Sequence, residues 1–505
     1  MTHIFLKRLI TLLVVVILFT QCKKSLLEID PTIPIVTVDN YYKTESDAIN
    51  AVNATYTPLS AIYSGAAWHL GDIMSDDADL GGGGGGDGAE TAELDNFSLT
   101  SFNPIVNIMW AQCYYGVLRA NLVIERVPQV PVMTPAIRTR SIGEGKFLRA
   151  LYYFHLVRLF GDVPLYTTAI TVAEASTIAR SPRAAVYNQI IADLKDAETL
   201  LPNTYGANDK GRATAGAAKG LLANVYLTLG DKTNAATKAK EVIDNKALYG
   251  YDLWTDYADN FKLENENGKE SVFEVQYRAD GGTFTIYGVG TCINTFYGPR
   301  SQGIVPEGGY GFTVPTRNFV DQYEKTGPAY STIIDKRRNR SIWIPGDTYN
   351  AYTQPASLIG SPNGFNVRKY FVPVENTTGD AGQWRSALNV PIMRYAEILL
   401  IYAEAAGPAL GKPAADLIRA RAGLAALPTG LSDAQWLAAI YKERRLELGF
   451  EMHRWYDLLR HPDPNYFVTV MQAAGKTNCA QKHRFMPIPQ GERDKNPNLT
   501  QNTGY

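Results

Sequence analysis

The chain has 505 residues, a net charge of −1 and four cysteines with no CxxC spacing. Near-neutrality excludes the basic footprint of a nucleic-acid binder. Beyond Cys22, the cysteines Cys113, Cys292 and Cys479 are too few and too widely spaced for a disulfide framework or a structural zinc site.

Lys7 and Arg8 precede an apolar block from Leu9 to Thr20, which is the layout of a secretory signal over residues 1–21. The block is shorter than the roughly 20 apolar residues a spanning helix needs. Cys22 at its end resembles the lipobox cysteine of bacterial lipoproteins, whose thiol is acylated. Gln21 departs from the small residue that pattern prefers. Acyl chains bury about 0.8 kcal/mol per CH₂, enough to hold a protein on a membrane without a spanning helix. Residues 22–40 read as an extended, proline-bearing tether.

The segment 41–252 reads as helical. Thr44 caps a run in which Ala48, Val52 and Tyr56 recur at helical spacing. Helices are expected over Pro104 to Val127 and Pro135 to Phe160, with Gly161 as the stop and Pro164 preventing a restart. His155 sits on the apolar face of the second and reads as a core histidine. A further helix spans Ala184 to Pro202, and Ala213 to Asn245 reads as a helix pair turned at Gly230-Asp231. Small residues along this pair suit close helix packing, as in tetratricopeptide hairpins. A third hairpin is expected from Pro391 to Leu424, within a C-terminal helical part over 390–505 that closes the scaffold.

Between them, residues 253–389 form an irregular insertion, rich in glycine and aromatics, with short alternating runs such as SVFEVQYR that suggest strands. A long irregular segment inside a helical protein is where a ligand surface is expected. The expected fold class is therefore mainly α, with a partly β insertion.

The chain has no HExxH, GxSxG or GxxxxGK[ST] motif, so zinc-protease, hydrolase-elbow and P-loop chemistry lose their usual support. The glycines Gly81 to Gly86 match GxGxxG trivially, but Asp76, Asp77, Asp79 and Asp87 flank them and would repel a phosphate. Counted as a calcium loop from Asp77, the twelfth position is Gly88 instead of a bidentate glutamate. A flexible acidic loop is the plainer reading, with an irregular calcium site or a sugar-contacting loop as alternatives; no cofactor is expected otherwise. Glu447 and Glu451, four apart among Arg444, Arg445 and Arg454, read as structural ion pairs instead of an acid/base pair.

Several stretches together resemble the SusD/RagB-type outer-membrane nutrient-binding lipoproteins. They are the signal ending in Cys22, RALYYFHLVRLFGDVPL (149–165), GRATAGAAKGLLANVYL (211–227), PIMRYAEILLIYAEA (391–405), ERRLELGFEMHRWYDLLR (443–460) and the closing PIPQGERDKNPNLTQNTGY (487–505). The resemblance implies a helical scaffold with tetratricopeptide-like hairpins, no catalytic centre, and a lipid anchor at the outer membrane facing the exterior. It also implies a SusC-like TonB-dependent transporter as partner and an oligosaccharide or other nutrient as cargo. It carries over no ligand residue.

Sugar rings present apolar faces and a rim of hydroxyls, so a glycan surface needs exposed aromatic platforms beside hydrogen-bonding side chains. By that criterion Tyr297, Arg300 and Asn294 come first, then Tyr287 and Tyr310, and then Trp68, Asp79, Asn96, Trp343 and Trp384. Peptide cargo, a protein-binding adaptor and a glycan-cleaving enzyme are the competing readings.

Overall fold

The computed structural model describes residues 41–278, 290–376 and 386–505. Helix α1 (Glu45–Ala61) starts at Thr44, whose hydroxyl accepts from the Asp47 N–H while the Asp47 carboxylate accepts from the Thr44 N–H. This reciprocal cap satisfies donors that the first turn leaves without partners. Helix α2 (Pro104–Arg126) is capped by Asn103 and opens on Pro104. It is followed by α3 (Pro135–Phe160), α4 (Arg183–Leu200), α5 (Ala215–Thr228) and α6 (Lys232–Asp244). Late in the chain come α7 (Tyr395–Arg421), α8 (Asp433–Leu448) and the short α9 (Arg454–Leu459).

These helices stack serially: α1 on α2, α2 on α3, and so on through α6 on α7 and α7 on α8. Small residues make the stack tight. A Cβ on Gly116 of α2 would lie 2.2 Å from the Tyr152 ring of α3. Helix α7 is itself a hairpin: Gly407 leaves helical geometry (φ 75°, ψ −178°), and a Cβ on Gly411 would meet the Ala403 carbonyl at 2.3 Å. Only glycine takes that backbone without strain. The scaffold is thus the expected series of tetratricopeptide-like pairs. The third pair differs at its start, because residues 390–394 are extended and the helix begins at Tyr395.

The sheet content is sparse. Among the described residues four antiparallel pairs join β1 (Ala78–Leu80) to β3 (Thr313–Pro315), β2 (Ser271–Val275) to β8 (Val390–Arg394), β4 (Ile342–Trp343) to β7 (Asn366–Val367), and β5 (Thr348–Tyr349) to β6 (Tyr352–Thr353). Most of the insertion's described residues are loop. Among the described residues no helix is long and apolar enough to cross a membrane.

Beyond α1 the chain continues through two π turns, Ile62–Ala66 and His69–Ile73, both buried. Trp68 between them stacks on His69 with ring centres 3.5 Å apart. Asp72, in the second turn, accepts from the Tyr297 hydroxyl (2.8 Å) and the Met452 N–H (3.0 Å). No described cation forms an ion pair with it, and burial pushes its carboxyl up to about 7.

A buried ion network joins insertion and scaffold. Arg394, closing β8, donates to Glu270 (2.7 Å), Glu447 (2.9 Å) and Glu451 (2.7 Å). Arg421 of α7 reaches Glu270 (2.6 Å) and Glu447 (2.5 Å), and Lys369 reaches Glu451 (2.7 Å). Arg337 binds Asp335 (2.6 Å) and Glu443 (2.5 Å). The flanking arginines hold the Glu447 and Glu451 carboxyls below the usual range despite burial. Both glutamates are structural ion-pair members as expected, but their partners are Arg337, Arg394, Arg421 and Lys369 from elsewhere in the chain, not the neighbouring Arg444, Arg445 and Arg454.

Glu447→Gln leaves Arg394 and Arg421 short of a counter-charge and is expected to cost about 3–5 kcal/mol, read as a lower urea midpoint with unchanged slope. Lys240→Ala, which removes the exposed Lys240–Asp244 pair, is expected to stay within about 0.5 kcal/mol. For Asp72 the folded-state carboxyl titrates above the unfolded one, so its contribution to stability is lost as pH rises from about 4 to about 7. Asp72→Asn cannot ionise, so unfolding measured across that window should show the variant gaining on the wild type by up to about 4 kcal/mol, at about 1.4 kcal/mol per pH unit. A difference that stays flat with pH would refute the assignment.

Candidate functional site

The acidic glycine loop is anchored at its base. Asp76 is gripped by Arg454 (2.7 and 3.0 Å) and Arg445 (2.9 Å), and Asp77 by Arg445 (2.5 Å), all four side chains buried. From there β1 pairs with β3, and the contact extends one step as the Gly81 N–H donates to the Phe312 carbonyl (2.9 Å). A Cβ on Gly81 would fall 2.1 Å from the Gly311 carbonyl oxygen, and one on Gly360 2.2 Å from the Gly82 nitrogen. Glycine is required here because the loops 81–88, 298–312 and 358–364 touch backbone to backbone.

On this base sits a small shelf. Asp87 accepts from the Gly83 N–H (2.8 Å) and pairs with Arg300 (2.5 Å), and these two contacts, the first larger, hold its carboxyl low. The Arg300 guanidinium also donates to the Tyr310 carbonyl (3.3 Å), and the Gln302 amide to the Arg300 carbonyl (2.8 Å). The partly exposed Tyr310 ring is backed by Phe312 (5.4 Å) and Phe296 (6.1 Å). Ser301 (φ 57°) and Glu307 (φ 56°) adopt left-handed backbone that non-glycine residues rarely take, a kind of strain that gathers at binding loops. A supported aromatic face, a guanidinium, a carboxylate and an amide are the groups that hold a sugar ring and its hydroxyls.

The predicted site residues divide. Arg300 and Tyr310 belong to the shelf. Asp79 is exposed on β1, 3.8 Å from Lys476, and Asn96 is exposed just after the helix Ala89–Asp95, where it accepts from the Ser98 N–H (3.1 Å). Tyr297, Asn294, Trp68 and Trp343 are at most 2 % exposed, and their expected role as ligand contacts is corrected to core packing. Tyr297 spends its hydroxyl on Asp72. Asn294 donates to the Val372 carbonyl (2.8 Å) and accepts from the Val372 N–H (3.1 Å). Trp68 packs edge-on to Tyr297 (5.8 Å), and Trp343 lies under the Arg368 guanidinium (3.7 Å). Tyr287, Trp384 and Cys22 lie outside the described residues.

Sequence reading missed Asp87 as the ion-pair partner of Arg300 and Phe312 as the ring behind Tyr310. The available signal was the glycine spacing around Tyr310 and Phe312. It also treated the acidic loop as flexible, whereas Asp76 and Asp77 are buried ion-pair partners. Among the described residues no group of three or more His, Cys, Asp or Glu is arranged to hold a metal.

A second concavity was also missed. A cleft of about 450 Å³ lies between α1 and β2, lined by Tyr56, Ser60, Arg212, Glu274, Gln276 and Tyr277. Its Gln276 amide pairs with Asn267 in both directions (2.8 and 2.9 Å).

Comparison with known proteins agrees with this architecture. Residues 269–505 match the model described as SusD family, and residues 38–227 the model described as "Starch-binding associating with outer membrane". SusD-like protein P2 of Formosa agariphila is 30% identical over 97% of this chain and 98% of its own. The Bacteroides thetaiotaomicron starch-binding protein SusD is 24% identical over 77% of each chain. Among solved structures, a laminarin-binding SusD-like protein matches with a TM-score of 0.79 and 30% identity, over 92% of this chain and all of its own. Surface glycan-binding protein A from Bacteroides thetaiotaomicron in complex with laminarihexaose matches at 0.76 and 26%, over 91% of this chain and 100% of that one. With the serial helix pairs, the loop-rich insertion and similarity along almost its full length, the chain belongs to the SusD family.

Proposed function

We propose that this protein is a non-catalytic cell-surface lipoprotein that binds a nutrient oligosaccharide and delivers it to a SusC-like TonB-dependent transporter of the outer membrane. The observation that carries the binding half is the partly exposed Tyr310 ring standing beside the Arg300–Asp87 pair. The ring offers a stacking face, and the ion pair offers donors and acceptors fixed before any ligand arrives, which lowers the ordering cost of binding. Relatives named for laminarin, laminarihexaose and starch support glycan as the cargo class. Acylation of Cys22 would place the protein on the membrane beside its partner.

The test is isothermal titration of the purified protein against laminarihexaose, starch-derived and mucin oligosaccharides, with a peptide digest alongside. Saturable heat from one glycan class is expected, without new reducing ends. Tyr310→Ala and Arg300→Ala should each weaken it by about tenfold, equivalent to about 1.4 kcal/mol, while Gln276→Ala leaves it unchanged. A loss confined to Gln276→Ala would move the site to the α1–β2 cleft, and heat from peptides alone would overturn the sugar reading. For the anchor, Cys22→Ser is expected to shift the protein from the membrane to the soluble fraction of fractionated cells.

A further inference from the structure

Far along the scaffold from the shelf residues in sequence, the C-terminal end of α3, the start of α4, the end of α5, α9 and the segment 481–485 enclose a small open hollow of about 40 Å³. Its lining includes Arg158, Arg183, Arg460 and Arg484 together with Tyr187 and Tyr456. Four guanidiniums around one hollow repel each other, and a folded chain ordinarily offsets such a cluster with carboxylates. Elsewhere in this protein that is what happens: Arg337, Arg394, Arg421, Arg445 and Arg454 each meet at least one buried carboxylate.

Here only Arg460 is matched, by Glu404 (2.5 Å) and Asp457 (2.8 Å). Arg158 gives its Nε to the Phe154 carbonyl (3.2 Å), has Nη2 3.4 Å from a His155 ring nitrogen, and lies between the rings of Phe154 (3.8 Å) and Tyr456 (4.0 Å). Arg183 lies over the Phe485 ring (4.9 Å) and also meets Tyr187, and its buried Nε has no hydrogen-bond acceptor. Arg484 donates to the Leu459 carbonyl (3.0 Å). No ion pair among the described residues involves Arg158, Arg183 or Arg484. The nearby Asp162 carboxylate accepts from the Arg183 backbone N–H (2.9 Å) and forms no ion pair with the hollow's guanidiniums among the described residues. The buried Tyr456 hydroxyl also lacks a partner.

We propose that this hollow binds a small oxyanion, either free sulfate or phosphate or the same group carried as an ester on a glycan. Guanidinium donors match the oxygens of such anions in pairs. The Arg484 guanidinium is held below its usual range by burial and by Arg183, which is the direction a missing counter-charge produces.

The experiment is titration of sodium sulfate, and separately sodium phosphate, into the full chain at constant ionic strength set with chloride. One saturable site per chain is expected for at least one of them. Arg183→Gln and Arg484→Gln should each weaken it at least about tenfold, and Tyr310→Ala should leave it unchanged, which separates this site from the proposed sugar shelf. Thermal unfolding gives a second readout. Sulfate stabilises proteins generally by exclusion from their surface, so the quantity that counts is the increment in Tm lost on substitution. Competition between free sulfate and a sulfated oligosaccharide, with its desulfated form as control, assigns the ester as the natural source; saturation by the free ion without such competition assigns the ion. Absence of saturable heat from either salt, or the same sulfate increment in wild type and both variants, overturns the proposal.

Discussion

Arg394 holds the structure together. It stands at the junction of β8 and α7 and reaches Glu270 from the insertion and Glu447 and Glu451 from the region of α8. Burying that many charges is expensive, and apolar packing of similar volume would stabilise as well or better. What the network does is penalise alternatives. Any arrangement that slides α8 against β8, or lets the segment carrying Arg337 and Lys369 dock elsewhere, leaves a buried charge alone at several kcal/mol. A loop-rich insertion with only short strand pairs has few hydrogen-bonded ladders to fix its position, so position is fixed by ions.

The same helix transmits that order to the shelf. On α8, Glu443 and Glu447 face the central network, while Arg445 turns the other way to Asp76 and Asp77. Arg454 of α9 completes the grip. The start of the glycine loop is thereby tied to the C-terminal helices, and β1 follows directly into its pairing with β3. Arg300 and Tyr310 are carried on loops, yet those loops rest on a base positioned by buried ion pairs from across the chain.

The helices were legible because their signals are local. Thr44 before α1, Gly161 after α3 and the small residues of α5 each act within a few positions, and the structure places helices where they point. The exception at 390–394 is instructive, since this stretch pairs as a strand with Ser271–Val275, more than a hundred positions earlier, a partner that local signals do not reveal. The site was half legible for the same reason. Within one glycine- and aromatic-rich window, Tyr297 and Tyr310 look alike; what separates them is Asp72, more than two hundred positions away, which draws the first into the core. Trp343 was likewise indistinguishable from a surface platform until Arg368 was seen to cover it. Buried charges announce themselves as dense runs such as 443–460, but their partners do not.

This division of labour bears on which substitutions the proposed shelf accepts. Tyr310 and Arg300 touch neither the central network nor the Asp76–Arg454 grip, so altering them removes contacts at the shelf without leaving a buried charge alone. Gly81 and Gly360 have the opposite character. They offer a ligand no side chain, but a single methyl group at either position would drive backbone into backbone at just over 2 Å. Tolerance to substitution on this face is therefore set by backbone contact beneath the shelf. A ledge laced by glycines over an ionic frame can be re-faced with different aromatic and polar groups while the chain beneath it keeps one fold.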